Sequence, residues 1–153
     1  MTAGRRITRA SWWGTALFAL TAAAAAAVPD QMEAVAFVVA VVLFFAGCVA
    51  FAVAYGTAVS RSRERLIGVA NLFFLTGDVA PPHVRRTLLG SLGVEVAVAL
   101  ATAIARPYSS LAAGTLVPMY GLGLCGLWAS RHGTFPPRPP SPERGRGRGQ
   151  GRR

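Results

Sequence analysis

Residues Ala34–Tyr55 read AVAFVVAVVLFFAGCVAFAVAY and contain no charged residue, no proline and a single glycine, Gly47. A helix of about 20 apolar residues crosses roughly 30 Å of hydrocarbon, so this stretch is long enough to span a bilayer. Working outward from it, Trp12–Val28, Leu88–Ala105 and Leu111–Trp128 approach the same length. In a chain of 153 residues, 53% hydrophobic and 14% charged, these runs would load a soluble globule with far too much apolar surface. The sequence therefore predicts one all-α, polytopic membrane domain over residues 12–132 with four transmembrane helices, preceded by a basic N-terminus at residues 1–11.

The links between the first and second spans (29–33) and between the third and fourth (106–110) are too short for anything but two antiparallel hairpins. The net charge of +10 is due to arginine alone, because lysine is absent. Arg5, Arg6, Arg9, Arg61, Arg63, Arg65, Arg85, Arg86, Arg131 and the tail arginines fall on one side, against Arg106 on the other. By the positive-inside rule both termini are cytoplasmic. Trp12, Trp13, Tyr55 and Trp128 sit at span ends on that side and Tyr108 at the opposite one, where aromatic rings favour the headgroup layer. A second reading of residues 12–28 is a secretory signal peptide ending in AAAAAAV, which would leave three spans with the same direction.

Between the hairpins, RERLIGVANLFFLTGDVAPPHVRR holds about ten mostly apolar residues, too few to cross a bilayer. Leu66, Ile67, Val69, Ala70, Leu72, Phe73 and Phe74 share one arc at 100° per residue, with Leu75 outside it. This pattern fits a short helix in the interface, or equally a loop helix packed on the bundle. Pro81 and Pro82 suit the first turn of the third helix.

Glu95 is the only Asp, Glu, Arg or His inside a span. A charge there costs on the order of 2.5–3.5 kcal/mol on insertion scales, which makes it a candidate functional site. Ser91, Thr102 and Arg106 share its helix face, a seam expected to point into the bundle or an oligomer interface. Counting depth along each span brings Glu95 level with Cys48 and with Tyr120 or Gly121, and Tyr120 is the expected hydrogen-bond partner. Arg106 lies ~16 Å further along the same helix and cannot pair with it. Glu95 is either a proton- or cation-coupling group or a neutral carboxyl that bonds a neighbouring helix.

In the fourth span, Pro118 removes a backbone donor and Gly121, Gly123 and Gly126 remove side chains, so a kinked, closely packed helix is expected. Cys48 and Cys125 fall in apolar runs and read as free thiols. His83 and His132 are isolated in the sequence, and no metal-ligand spacing, catalytic triad order or phosphate loop is present, so no metal, cofactor or enzymatic activity is expected.

Residues 133–153 are rich in Pro, Gly and Arg and are expected to be a disordered cytoplasmic tail. The tail lacks aromatic residues for base stacking after Phe135, which favours contact with anionic lipid headgroups over nucleic acid. Arg61, Arg63, Arg65, Arg85, Arg86 and Arg131 are expected at the same headgroups.

The stretches SRSRERL, LFFLTG, VRRTLLGSL, AIARP and LVPMYGLGLCGLWASRHGTFPPR, within residues 59–138, resemble a group of small uncharacterised integral membrane proteins of actinobacteria. The resemblance implies a bacterial plasma-membrane location and brings no activity with it. The residues themselves favour an accessory or scaffold subunit that meets another membrane protein or its own copies through the small-residue faces of the second and fourth spans. The alternatives are an oligomeric proton-coupled transporter using Glu95, and a nucleic-acid tether acting through the tail.

Overall fold

The computed structural model describes residues 2–138, and the tail arginines beyond Arg138 lie outside them. Five α-helices follow one another: α1 (Thr2–Ala27), α2 (Pro29–Arg61), α3 (Val69–Phe73), α4 (Pro82–Ala105) and α5 (Pro118–His132). Short 3-10 helices at Gly77–Val79 and Ser110–Leu116 precede α4 and α5. Four helical segments, Gly4–Ala27, Pro29–Arg61, Pro82–Ala105 and Ser110–His132, are long and apolar enough to cross a membrane.

Proline sets three helix starts. Pro29, Pro82 and Pro118 occupy first-turn positions of α2, α4 and α5, where a missing N–H costs nothing and the ring's φ is already helical. For this reason α2 begins at Pro29 and not after a five-residue loop, and Val28 alone separates it from α1. The expected kink at Pro118 is instead a break between the Ser110–Leu116 3-10 segment and α5, so the fourth span is not one continuous α-helix.

The packing is small residues in, large residues out. On α2, Ala36, Ala40, Leu43, Gly47, Ala50, Ala54 and Ala58 form the buried seam, while Phe37, Val38, Val42, Phe45, Val49 and Val53 are exposed. In water that outer face would be a large unpaid apolar surface; against lipid it has its natural solvent. The four apolar helices thus fit an integral, multi-pass membrane protein. Gly47 and Gly123 let the α2 and α5 backbones touch, since a Cβ on Gly123 would collide with the Gly47 carbonyl oxygen and one on Gly47 would lie 2.5 Å from Tyr120 N. A Cβ on Gly126 would collide with the Phe73 ring. Gly121, Gly123 and Gly126, expected to pack helices closely, do so inside the chain, where close approach of α2, α3, α4 and α5 uses all three and leaves them unavailable to a partner.

Three side-chain clusters stack along the bundle. Ala25, Ala36 and Leu111 close one end, and Phe18, Ala22, Ala40, Leu43, Ala99 and Val117 fill the middle. At the other end Ala54, Leu72, Phe73, Leu75, Leu88, Cys125 and Trp128 pack together, with the Phe51 and Phe73 rings stacked at 4.3 Å. Helix α3 ends after five residues, and Leu75 takes φ 52°, a left-handed turn that swings its side chain wholly into this cluster. Leu75, placed outside the apolar arc by helical counting, is buried because the helix stops before reaching it. Trp128, expected at the headgroups, is also turned inward.

Residues 134–138 belong to this end and not to a free tail. Arg138 N–H donates to the Glu64 carbonyl (2.9 Å), Leu66 N–H to that of Pro136 (3.0 Å) and Thr134 N–H to that of Val79 (3.2 Å). Phe135 is buried in the cluster, and the Arg65 guanidinium donates to its carbonyl at 2.9 Å. Arg61 donates to the Ser130 carbonyl and lies over the Phe135 ring. Arg61 and Arg65, expected at lipid headgroups, thus bind the chain's own backbone, whereas Arg63, Arg85, Arg86 and Arg131 are free of such bonds among the described residues. Both cysteines are free thiols.

Gly123→Ala should destabilise the protein by about 1–3 kcal/mol, because the added methyl meets backbone that cannot rotate away. Gly93→Ala faces open space and should be neutral or stabilising by up to about 1 kcal/mol. Denaturation of both variants in micelles measures the contrast, and equal stabilities would count against the α2–α5 contact.

Candidate intramembrane polar site

Glu95 lies wholly inside the bundle, with 0% exposure, on the α4 face that also buries Leu88, Ser91 and Ala99. Two polar rungs join this face to α1. Ser11 and Ser91 hydroxyls bond one another, and one helical turn further on Thr15 Oγ1 bonds Glu95 Oε1 at 2.7 Å. At the far end Arg106 Nη2 reaches the Ala26 carbonyl at 3.5 Å. All three contacts join residues 80 apart in sequence, so α1 and α4 run parallel and in register over their shared length.

The second partner of Glu95 is backbone. Helix α5 has no side-chain cap from its own N-cap residue, Val117, but the preceding 3-10 turn satisfies much of its start: Val117 N–H donates to the Gly114 carbonyl at 3.0 Å, and Pro118 has no N–H to satisfy. Tyr120 N–H closes onto the Val117 carbonyl at 2.7 Å, and Gly121 N–H donates to Glu95 Oε2 at 3.1 Å. Glu95 thereby caps, from α4, the helix that the Pro118 break begins. A carboxyl at a helix N-terminus also meets the positive end of the peptide dipoles. Gly121 has to be glycine for this approach, since a Cβ there would sit 2.5 Å from Oε2.

Tyr120, expected to bond Glu95, does not. Its hydroxyl donates to the Ala10 carbonyl at 2.8 Å, and its ring covers Gly14 so closely that a Cβ there would collide with it. Successive residues on a helix point about 100° apart, so Tyr120 faces α1 while the Gly121 amide faces α4. Thr102 of the expected seam bonds only carbonyls of its own helix, Val98 and Ala99, and Arg106 stays clear of the carboxyl.

Hydrogen counting describes what this arrangement holds. Thr15 Oγ1 also lies 2.9 Å from the Ser11 carbonyl, and a hydroxyl has one proton to give. A neutral Glu95 completes the set without sharing: its O–H donates to Thr15, Thr15 donates to Ser11, and Oε2 accepts from Gly121. Among the described residues no buried side-chain polar atom lacks a partner. Ser11, Thr15, Ser91 and Glu95 are each at most 1% exposed. The site is buried and, among the described residues, fully bonded, which suits holding three helices.

Ser11 and Thr15 escaped the sequence reading because both are ordinary small residues in an amphipathic stretch. Only their offset of 80 from Ser91 and Glu95 could have flagged them. No group of three or more His, Cys, Asp or Glu side chains among the described residues could hold a metal ion. Comparison with protein-family models, with curated proteins and with solved structures gives no match.

Glu95→Gln keeps an oxygen for the Gly121 N–H and a donor for Thr15, so stability should change by less than about 1 kcal/mol. Glu95→Leu removes the bonds to Thr15 and Gly121 that tie α1 and α5 to α4, although Thr15 keeps the Ser11 carbonyl, and should cost about 1–3 kcal/mol. Unfolding of the two variants in micelles reads the difference, and a leucine variant as stable as wild type would remove the capping role.

Proposed function

We propose that this chain is a non-catalytic integral membrane protein, an accessory or scaffold subunit of a bacterial plasma-membrane assembly. The observation that carries the reading is the closure of Glu95: its oxygens are occupied by Thr15 and Gly121, and it is sealed from solvent. A coupling carboxylate needs an exchangeable path to water on at least one side, and this one serves as a helix cap.

In this reading the spans form two hairpins, α1 with α2 and α4 with α5, and both termini are cytoplasmic. The parallel register of α1 and α4 is what two successive hairpins require. Arg5, Arg9, Arg61, Arg63, Arg85 and Arg131 gather at the end that holds the α1 start and the α5 finish, in keeping with the positive-inside rule. Helix α3 lies in the headgroup layer at that end, anchored by Leu72 and Phe73, with Val69 and Phe74 exposed towards the acyl boundary. The first span is retained in the mature protein, a view supported by the bonds of Ser11 and Thr15 to α4. Since the glycines of α5 are used internally, contact with a partner subunit falls to the outer valine and phenylalanine face of α2.

In proteoliposomes carrying an entrapped pH dye, the wild-type protein should pass protons no faster than empty vesicles, and Glu95→Gln should behave identically. Substrate-dependent flux that disappears in Glu95→Gln would replace this reading with a proton-coupled transporter. Photo-crosslinkers placed at Val42 and Val49 in the native membrane should trap another integral membrane protein; capture of lipid alone would refute the scaffold role.

A further inference from the structure

Two open clefts lie side by side against α1 and α4 and share Thr8 and Thr87 in their walls. The first, about 450 Å³, gathers Arg5, His83, His132 and Trp128 at the end of the bundle where the arginines collect. The second, about 440 Å³, runs deeper along α1 and is walled by Arg9, Trp12, Trp13 and Ala16. No acidic side chain lines either one.

The first cleft is preorganised. The buried Trp128 indole stacks on the exposed His132 imidazole at 5.6 Å, which places that ring at the mouth of the cleft. Gly4 lets α1 pass close to that indole, since a Cβ there would be 3.2 Å from Trp128 Nε1. Residues 5, 83 and 132 come from three different helices, so the cluster exists only in the folded chain.

The pair therefore grades from donors and positive charge to indole and methyl surface along one helix. From Arg5 to Ala16 the axis advances ~16 Å, close to the ~15 Å hydrocarbon depth of one leaflet. A ligand matching that gradient has an anionic phosphate at one end and an alkyl chain at the other. Arginine and imidazole N–H groups suit phosphate oxygens, and indole rings suit the boundary between headgroup and acyl chain.

We propose that the paired clefts bind one anionic phospholipid, its phosphate held by Arg5, His83 and His132 and one acyl chain lying along Trp12, Trp13 and Ala16 between α1 and α4. The proposal rests on the membrane reading above and adds to it a discrete, stoichiometric site, distinct from diffuse attraction of the exposed arginines. The bound lipid fills the crevice beside the Ser11–Ser91 rung and covers apolar surface that bulk lipid tails would solvate less completely.

The test uses the full chain, delipidated in detergent and titrated with phosphatidylglycerol, with phosphatidylcholine of the same acyl chains, and with inorganic phosphate alone, each read by native mass spectrometry. One phosphatidylglycerol per chain should be retained roughly tenfold more tightly than phosphatidylcholine, and inorganic phosphate should bind far more weakly than either. Arg5→Gln combined with His132→Asn should remove that preference, whereas Arg63→Gln, outside both clefts, should leave it intact. Ala16→Trp fills the acyl channel without removing a charge and should weaken phosphatidylglycerol by a similar factor. Circular dichroism and gel filtration verify that each variant is folded.

Equal retention of the two lipids, unchanged binding in the Arg5/His132 variant, or an equal loss in Arg63→Gln would overturn the site. Inorganic phosphate binding as tightly as the lipid would overturn the acyl half and leave an anion pocket. Alkali-resistant insertion into liposomes separates the two levels: a chain that inserts without preference refutes the site alone, and one that fails to insert refutes the membrane reading with it.

Discussion

The bond from Gly121 N–H to the Glu95 carboxyl is the constraint on which the rest of the bundle depends. Hydrocarbon offers no water to a buried carboxyl, so Glu95 needs hydrogen-bond partners supplied by protein. The fourth span changes from a 3-10 segment to an α-helix at Pro118, and α4 places a carboxyl at that depth, where it accepts from Gly121 N–H in the first turn of α5. Because Thr15 bonds the second oxygen, the same group also sets the register of α1.

Around that point, cohesion comes from closeness more than from hydrophobic burial. Lipid tails solvate valine and phenylalanine as well as a protein interior does, so large side chains gain little by turning inward. Alanine and glycine seams on α2 and α5 instead bring backbones into contact and collect dispersion over a long interface. At one end the arginines add a second kind of closure. Arg61 and Arg65 reach across to Ser130 and Phe135 and clasp residues 134–138 onto the loop after α2. There two of the arginines also tie the last described segment to the bundle.

The four apolar helices were legible because hydropathy needs only consecutive residues. Glu95 stood out for the same reason, as a carboxylate among aliphatic neighbours. Its partners were not legible. Tyr120 was the obvious polar side chain at the right depth, but the donor is the amide of the next residue, and an amide leaves no trace in a sequence until the helix start that frees it is known. The short helix after α2 posed a related difficulty: helical counting excluded Leu75, and a left-handed φ at Leu75 itself returned it to the core. His83 and His132 read as isolated, yet α4 and α5 bring them to one cleft with Arg5.

By itself, then, the sequence determined that this protein has four helices suited to a membrane, a strong arginine asymmetry between their ends and one carboxyl among them, since each property is local or additive along the chain. Only the tertiary structure decided what the carboxyl touches, which glycines are spent on internal contact, and which arginines and histidines meet. Those outcomes turn on helix rotation and on where a helix begins, and a shift of one residue, 100° of arc, exchanges one partner for another.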